Sequence, residues 1–273
     1  TEQNKSLDCF PEYIEQLVKL NIRREQVLIA IGGGIIQDIT CFLASTMMRG
    51  LPWLFFPTTL LAQADSCIGS KSSINSGEVK NILGTFTPPD KVVIDVDFLQ
   101  TLEQREIFSG IGEMLKVHAI NSPESFDLIS DAYEDVLKNP MIMEEFIHNS
   151  LSMKKKLIEI DEFDQGVRNV MNYGHSFGHA IESATNYGIP HGIAVTIGMD
   201  IANFVSAELG VSDASHFKRM HTVLERNYRT CQHVEINVKS LLNALSKDKK
   251  NSATQLRLIF PDQNGCIGIG LYD

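Results

Sequence analysis

Residues 26–34 read QVLIAIGGG, and the helical pattern IIQDITCFLASTMMRG starts directly after the third of those glycines. An apolar run without polar alternation, rich in β-branched residues, is what a strand buried on both faces looks like, and such strands belong to parallel sheets. A parallel strand cannot turn straight back on itself. It needs a crossover, usually a helix. The stretch therefore restricts the chain to βα units. Two further runs fit the same plan: LPWLFFP at 51–57, closed by Pro57, and KVVIDVDFL at 91–99. Ahead of them, SLDCFPEYIEQLVKL places Leu7, Phe10, Ile14, Leu17 and Leu20 near helical spacing. Strands alternating with helices imply a parallel α/β sheet.

From about Thr101 the pattern changes. Residues 103–232 carry repeated helical periodicity, punctuated by Pro123, Pro140 and Pro190, and the tail LRLIFPDQNGCIGIGLYD reads as one or two short strands about an Asn264-Gly265 turn. The expected organisation is an α/β domain over residues 1–102 and a mainly helical domain over residues 103–273. Few strands precede residue 103 for a doubly wound sheet, and Thr1 is an unusual first residue, so the first domain is expected to be truncated at its start.

Charge narrows the function. The 273 residues carry a formal net charge of −10, with a pI near 5.3. That disfavours a nucleic-acid or anionic-membrane surface. No run approaches the roughly 18 apolar residues that a membrane-spanning helix needs. The five cysteines are scattered, odd in number and without a CxxC pair, which argues against a disulfide framework and for a reducing, cytoplasmic setting. An acidic protein that binds an anionic small molecule must gather basic residues locally.

Several segments carry chemistry. Gly32, Gly33 and Gly34, with Asp38 four residues on, join a strand to a helix; this is either a tight βα turn or a phosphate-binding helix start. PTTLLAQADSCIGSKSSIN at 57–75 follows a strand and is dense in polar groups threaded with apolar ones. It is expected to be a packed loop with directed polar side chains, at the strand end where α/β proteins bind ligands. Glu113 and Lys116 share a helical face, as an ion pair or as site residues. In MNYGHSFGHAIE, residues 171–182, His175 and His179 lie at i,i+4 and Glu182 follows; His191-Gly192 opens the next apolar helix. On spacing alone three histidines and a glutamate are either an open metal shell or ordinary histidines, since HExxH is absent. Arg49, Lys71, Lys80, Lys154, the DEFDQGVR run at 161–168 and KDKK at 247–250 supply the basic residues.

Taken in order, GGGIIQD, MMRG, PTTLLAQADS, KNILGTF, FLQTLEQRE, GIGEMLK, DEFDQGVR, NYGHSFGHAIE, HG and DKK resemble the 3-dehydroquinate synthases and the wider sugar phosphate cyclase family, from about Glu2 to about Pro261. The resemblance implies a Rossmann-like NAD-binding domain, a helical metal-binding domain, and further cofactor contacts ahead of the present first residue. It implies that Glu2, Lys5, Gly33, Gly34, Asp38, Thr58, Thr59, Asp65, Ser66, Lys71, Lys80, Thr101, Leu102 and Glu106 contact NAD. Glu113, His175 and His191 match zinc (or cobalt) ligands. His179 matches a histidine near the substrate phosphate with a part in proton transfer. Lys71, Asn81, Arg168, Asn172, Asp65 and one of Lys249 and Lys250 match substrate and phosphate contacts, and Lys116 and Lys154 match basic residues facing the substrate carboxylate and hydroxyls. Arg49 matches an arginine that reaches a neighbouring subunit, so a homodimer is implied.

The implied reaction is the conversion of 3-deoxy-arabino-heptulosonate 7-phosphate to 3-dehydroquinate, a step of the shikimate pathway toward aromatic amino acids. A ring hydroxyl is oxidised by NAD⁺, which acidifies the neighbouring C–H so that phosphate leaves; the hydride returns, the ring opens and an aldol step closes the carbocycle. The partner is thus an anionic sugar phosphate. Four positions depart from the family pattern: Cys67, Ser70, Asp164 and Ile193, the last where a glutamate that could orient a zinc histidine is usual. They open the alternative of a valiolone-type or 2-deoxy-scyllo-inosose-type cyclase. A metal-dependent polyol dehydrogenase of similar build is a further alternative that would not need the phosphate-binding set.

Overall fold

The computed structural model describes residues 1–77, 79–246 and 256–272. The chain divides into two compact units, Thr1–Thr101 and Leu102–Asp273.

In the first unit, α1 (Phe10–Lys19) leads to β1 (Leu28–Gly32), α2 (Gly34–Thr46) and β2 (Trp53–Pro57), then β3 (Lys71–Ser76), β4 (Val79–Phe86) and β5 (Lys91–Val92). The parallel sheet has the order β1-β2-β5, with Leu28 opposite Trp53 and Gly32 opposite Pro57. Phe10, Leu43 and Ile74 form a core lined by Tyr13, Leu17, Leu28, Ile39 and Phe42. The sheet follows the expectation with two corrections. β1 is buried on one face only: Ala30 is covered, whereas Ile29 and Ile31 are 59% and 60% exposed, because no described element packs over that face. The 91–99 run is a strand only at Lys91–Val92; the Asp97 N–H then turns back onto Asp95 Oδ1 at 2.9 Å, and a 3-10 helix follows over Val96–Thr101.

The segment 57–75 is not a loop throughout. It makes a π-helical turn over Ala62–Ser66 and then enters β3, which pairs antiparallel with β4. The pattern Lys-Ser-Ser-Ile-Asn-Ser conceals this strand, because its inward positions include Ser72 and Asn75, both buried.

The second unit is a stack of helices: α3 (Gln104–Asn121), α4 (Pro123–Asp131), α5 (Tyr133–Lys138), α6 (Pro140–Ile160), α7 (His175–Ala184), α8 (His191–Glu208), α9 (Ala214–Tyr228) and α10 (Val238–Ser246). The prolines mark helix starts as expected. Ser122 caps α4 and Asn139 caps α6, each with proline in the first turn. β6 (Leu256–Pro261) and β7 (Ile267–Tyr272) pair antiparallel around the expected turn, with Gly265 at φ +78°.

Helix α8 is the axis of this unit, packed against α3, α7 and α9. Two glycines set its distance from α3. A Cβ at Gly112 would lie 2.8 Å from the Gly192 carbonyl carbon, and one at Gly192 would lie 2.7 Å from the Ser109 carbonyl carbon. Both are closer than two carbons pack, so only glycine permits this crossing. Gly174, at φ +76°, admits the start of α7 against Val195 and Met199 in the same way. These close approaches flank Glu113, His175 and His191 in the sequence and bring their side chains together.

Candidate metal centre and active site

Glu113 is 1% exposed and lies on the inner face of α3. Its Oε2 accepts a hydrogen bond from the Lys116 ammonium, itself 2% exposed, one helical turn on. Its Oε1 is buried and accepts no hydrogen bond. Facing that oxygen are His191 Nε2 at 3.4 Å and His175 Nε2 at 3.9 Å. A buried carboxylate oxygen without a donor is costly unless a cation meets it.

The far nitrogen of each histidine is held. His175 Nδ1 lies 3.2 Å from the Tyr173 carbonyl; a carbonyl only accepts, so Nδ1 carries the proton and Nε2 presents its lone pair. His191 Nδ1 lies 3.2 Å from Glu182 Oε1, and the same reasoning directs its Nε2 to Glu113. Burial and the Lys116 charge hold His175 well below the usual histidine range, which keeps it neutral. Burial would lower His191 too, but the Glu113 and Glu182 carboxylates outweigh it and push it up to about 10. Burial likewise opposes ionisation of Glu113, yet Lys116 and the two histidines hold it well below the usual carboxylate range. Two carboxylates thus converge on a cation: an imidazolium at His191, or a divalent ion held by Glu113 Oε1, His175 Nε2 and His191 Nε2. An orphaned carboxylate oxygen and two imidazoles in the ligand tautomer fit a zinc- or cobalt-type site with three protein ligands.

His179 joins the same cluster. Nitrogens of His175, His179 and His191 lie within 4.8 Å of one another, and the His179 ring centroid is 5.3 Å from that of His175. His179 is exposed, whereas Glu113 is buried beside both other histidines. That exposure suits a group at the mouth of the site better than a ligand.

The basic residues of this unit are placed by their elements. Lys154 lies on α6 and is 7% exposed; Arg168 is 6% exposed. The Arg168 guanidinium donates to the Glu162 carbonyl. Its loop is tied by Asp161, which accepts the N–H groups of Gln165, Gly166 and Arg168. Those bonds hold the Asp161 carboxyl below the usual range. Asn172 donates to the Asn169 carbonyl at 3.0 Å.

In the first unit the expected cofactor residues fall into two groups. Gly33 is the N-cap of α2, and a Cβ there would lie 2.8 Å from Thr59 Cγ2. The Thr58 N–H bonds the Gly32 carbonyl at 2.9 Å, and a Cβ at Gly34 would stand 3.8 Å from Ser66 Oγ. Gln37, which sequence reasoning did not single out, exchanges two hydrogen bonds with Ser66 at 2.6 and 2.7 Å. The glycine loop, Thr58, Thr59 and Ser66 therefore line one helix N-terminus, the geometry that receives a dinucleotide phosphate. In the second group the buried Lys5 ammonium lies 3.0 Å from Asp38 Oδ2, 2.9 Å from Asn81 Oδ1 and 3.6 Å from Glu2 Oε1. Burial raises the Asp38 carboxyl above its usual value against the pull of Lys5.

Arg49 is exposed at φ +68° in the turn after α2. Lys71 opens β3, Lys80 lies on β4, Asp65 lies in the π-helical turn, and Thr101, Leu102 and Glu106 lie where α3 begins. Lys249 and Lys250 lie outside the described residues. Ile193 is fully buried with Ile181, Ile189 and Ala194. No helix among the described residues is long and apolar enough to cross a membrane.

Comparison with known proteins fits this geometry. Residues 1–109 match the family described as 3-dehydroquinate synthase N-terminal, and residues 110–251 the one described as 3-dehydroquinate synthase C-terminal. The 3-dehydroquinate synthase of Dehalococcoides mccartyi is 36% identical over 267 residues, covering 97% of this chain and 74% of that protein. The structure of 2-deoxy-scyllo-inosose synthase with carbaglucose-6-phosphate, NAD⁺ and Co²⁺ superposes with a TM-score of 0.90 at 25% identity, over 100% of this chain and 78% of that one. The structure of 2-epi-5-epi-valiolone synthase from Streptomyces hygroscopicus with NAD⁺ and Zn²⁺ gives 0.86 at 25% identity, over 99% and 76%. The two family matches together span residues 1–251 and the curated relative covers nearly the whole chain, so the chain belongs to the 3-dehydroquinate synthase family.

Proposed function

We propose that the protein converts 3-deoxy-arabino-heptulosonate 7-phosphate to 3-dehydroquinate and phosphate, acting as a phosphate-eliminating lyase that uses NAD and a divalent metal. The observation that carries this reading is the convergence of Glu113 Oε1 with His191 Nε2 at 3.4 Å and His175 Nε2 at 3.9 Å, with Lys116 on the opposite carboxylate oxygen. NAD would be bound through Gly33, Gly34, Thr58, Thr59, Ser66, Asp65, Lys71, Lys80, Glu2, Lys5, Asp38, Thr101, Leu102 and Glu106. Residues 103–273 would hold the metal through Glu113, His175 and His191. When bound, the metal supplies Lewis acidity toward a ring hydroxyl and NAD a reversible hydride acceptor.

The chain's own residues supply orientation and charge. Lys116 neutralises Glu113, so the site can hold a carboxylate ligand at low cost. Lys154, Arg168 and Asn172 present donors to an anionic substrate, with Arg168 oriented by the Asp161-tied loop. His179, exposed and beside His175 and His191, would pass a proton at the phosphate end of the substrate. Lys71, Asn81 and a lysine of the 249–250 pair complete the phosphate and substrate contacts. Arg49, which is exposed, matches in the resemblance an arginine that reaches a neighbouring subunit, and would complete the phosphate site of a homodimer. Five free cysteines support a reducing, cytoplasmic setting.

The test is to incubate the zinc-loaded protein, catalytic NAD⁺ and the heptulosonate phosphate, and to measure phosphate and dehydroquinate. Equal release of both is expected. No phosphate from this substrate, but release from sedoheptulose 7-phosphate or glucose 6-phosphate, would replace the reading with a valiolone- or inosose-type cyclase. Stoichiometric NADH from a simple polyol would replace it with a dehydrogenase.

A further inference from the structure

We propose that Glu182 is the positioning residue for His191, and that it supplies the orienting carboxylate which position 193, an isoleucine, cannot. This rests on the metal-centre reading above. Glu182 lies on α7, seven residues after His175, so two helical turns place both side chains on the same face. The Glu182 side chain is 13% exposed, and its Oε1 lies 3.2 Å from His191 Nδ1. His191 begins α8, and no side chain caps that helix start. A side chain at a helix start, 36% exposed, has rotamer freedom unless something fixes it.

Each of the other two ligand atoms has such a fixture. Glu113 is held through Oε2 by Lys116, and His175 through Nδ1 by the Tyr173 carbonyl. Glu182 completes the set. Its carboxylate accepts the Nδ1–H hydrogen bond, fixes the tautomer, aims Nε2 at Glu113 Oε1 and strengthens the imidazole as a donor to a metal. Position 193 has no such reach here. Ile193 is fully buried among Ile181, Ile189 and Ala194, so its side chain belongs to the packing of α7 and α8 and not to the histidine.

Metal affinity of the whole protein tests this without reference to turnover. Metal-free wild type, Glu182→Gln, Glu182→Ala and Glu113→Gln are titrated with Zn²⁺ against a chromophoric chelator, and with Co²⁺ by visible absorption. Wild type should bind one ion per chain, and Glu113→Gln should lose most of that binding. Glu182→Ala should bind roughly 10–100-fold more weakly, as expected for loss of an orienting partner, with a changed Co²⁺ spectrum. Glu182→Gln, which keeps an acceptor for Nδ1–H, should fall between. Unfolding midpoints of the metal-free wild type and Glu182→Ala should agree. The proposal is overturned if Glu182→Ala binds Zn²⁺ with wild-type affinity, or if its metal-free midpoint falls enough to explain the loss. Absence of binding by wild type would instead overturn the metal centre itself.

Discussion

Replacing Gly192 by alanine should separate two helices and with them the metal site. The added Cβ would lie 2.7 Å from the Ser109 carbonyl carbon and 3.1 Å from Ser109 Cα, with the Ser109 carbonyl oxygen nearer still. Carbon atoms pack at about 3.5 Å, so α3 and α8 must part by at least about 0.8 Å. The Gly192 N–H to Ser109 Oγ bond of 2.9 Å would be strained by the same movement. Overpacking of this kind costs about 1–3 kcal/mol, which in a unit of this size lowers the melting temperature by roughly 2–12 °C. The larger effect falls on the site. Glu113 rides on α3 and His191 on α8, and metal–ligand distances tolerate only about 0.2 Å. Zn²⁺ affinity, read by chelator competition, should therefore fall by more than the stability loss predicts. Gly268→Ala, where the new Cβ meets nothing within 4 Å, serves as the control and should change neither reading. A Gly192→Ala protein with wild-type metal affinity would refute the argument that this crossing sets the ligand geometry.

Two further outcomes follow from buried charge. His118 is 2% exposed, with Nδ1 3.1 Å from the Ser125 carbonyl, and burial lowers it to about 4. Because the unfolded chain binds a proton near pH 6.5 and the folded one does not until about pH 4, the stabilisation is present above pH 6.5 and is lost as pH falls toward 4. Urea unfolding should show about 2 kcal/mol of this loss between pH 7 and pH 5, and His118→Gln should abolish it; parallel profiles in the two proteins would sink the idea. Lys116→Met leaves the Glu113 carboxylate buried without its partner and should cost the metal-free protein about 3–5 kcal/mol. Adding Glu113→Gln should recover much of that. Strict additivity of the two changes in denaturant titrations would show that they are not coupled.

How much of this was legible in the sequence depends on where the information sits. The βα unit at 26–50 was visible because its apolar run and glycines are contiguous. The helix starts at Pro123 and Pro140 were visible because caps and prolines act within one turn. The shared face of His175 and His179 followed from spacing alone. By contrast, β3 was hidden by serines and an asparagine at its inward positions, which bond to partners rather than pack: Ser72 to Thr85 at 3.1 Å and Asn75 to Glu2 at 2.9 Å. The bare face of β1 could not be read, because exposure depends on what covers a strand and not on its own residues. Glu182 stood in the quoted motif from the start, yet spacing left it as one more possible ligand. Only the 3.2 Å contact with His191 Nδ1 sets it behind that ring, on the side away from Glu113. Gly112 and Gly192 were legible as glycines but not as a pair, since their meeting is a fact about two helices distant in sequence.

The departures from the family pattern bear on the substrate, and the structure assigns each a local role. Ile193 fills the apolar contact between α7 and α8, and its supposed glutamate task falls to Glu182. Cys67 is fully buried and its thiol donates to the Gln63 carbonyl at 3.4 Å, as a serine hydroxyl would. Ser70 is 4% exposed just before β3, where its carbonyl receives the Thr87 N–H at 2.9 Å. Asp164 sits at φ +56°, a conformation that aspartate tolerates better than most residues, and its carbonyl accepts from Asn169 at 3.0 Å in the loop that carries Arg168. Each change is thus absorbed by packing or by a backbone turn. None removes a charge from the set formed by Lys116, Lys154 and Arg168. A carboxylate-bearing substrate would gain charge-assisted hydrogen bonds from such residues that an uncharged ring lacks. The departures therefore weigh less against a carboxylate-bearing substrate than their number implies. The comparison of heptulosonate, sedoheptulose and glucose phosphates addresses the choice directly.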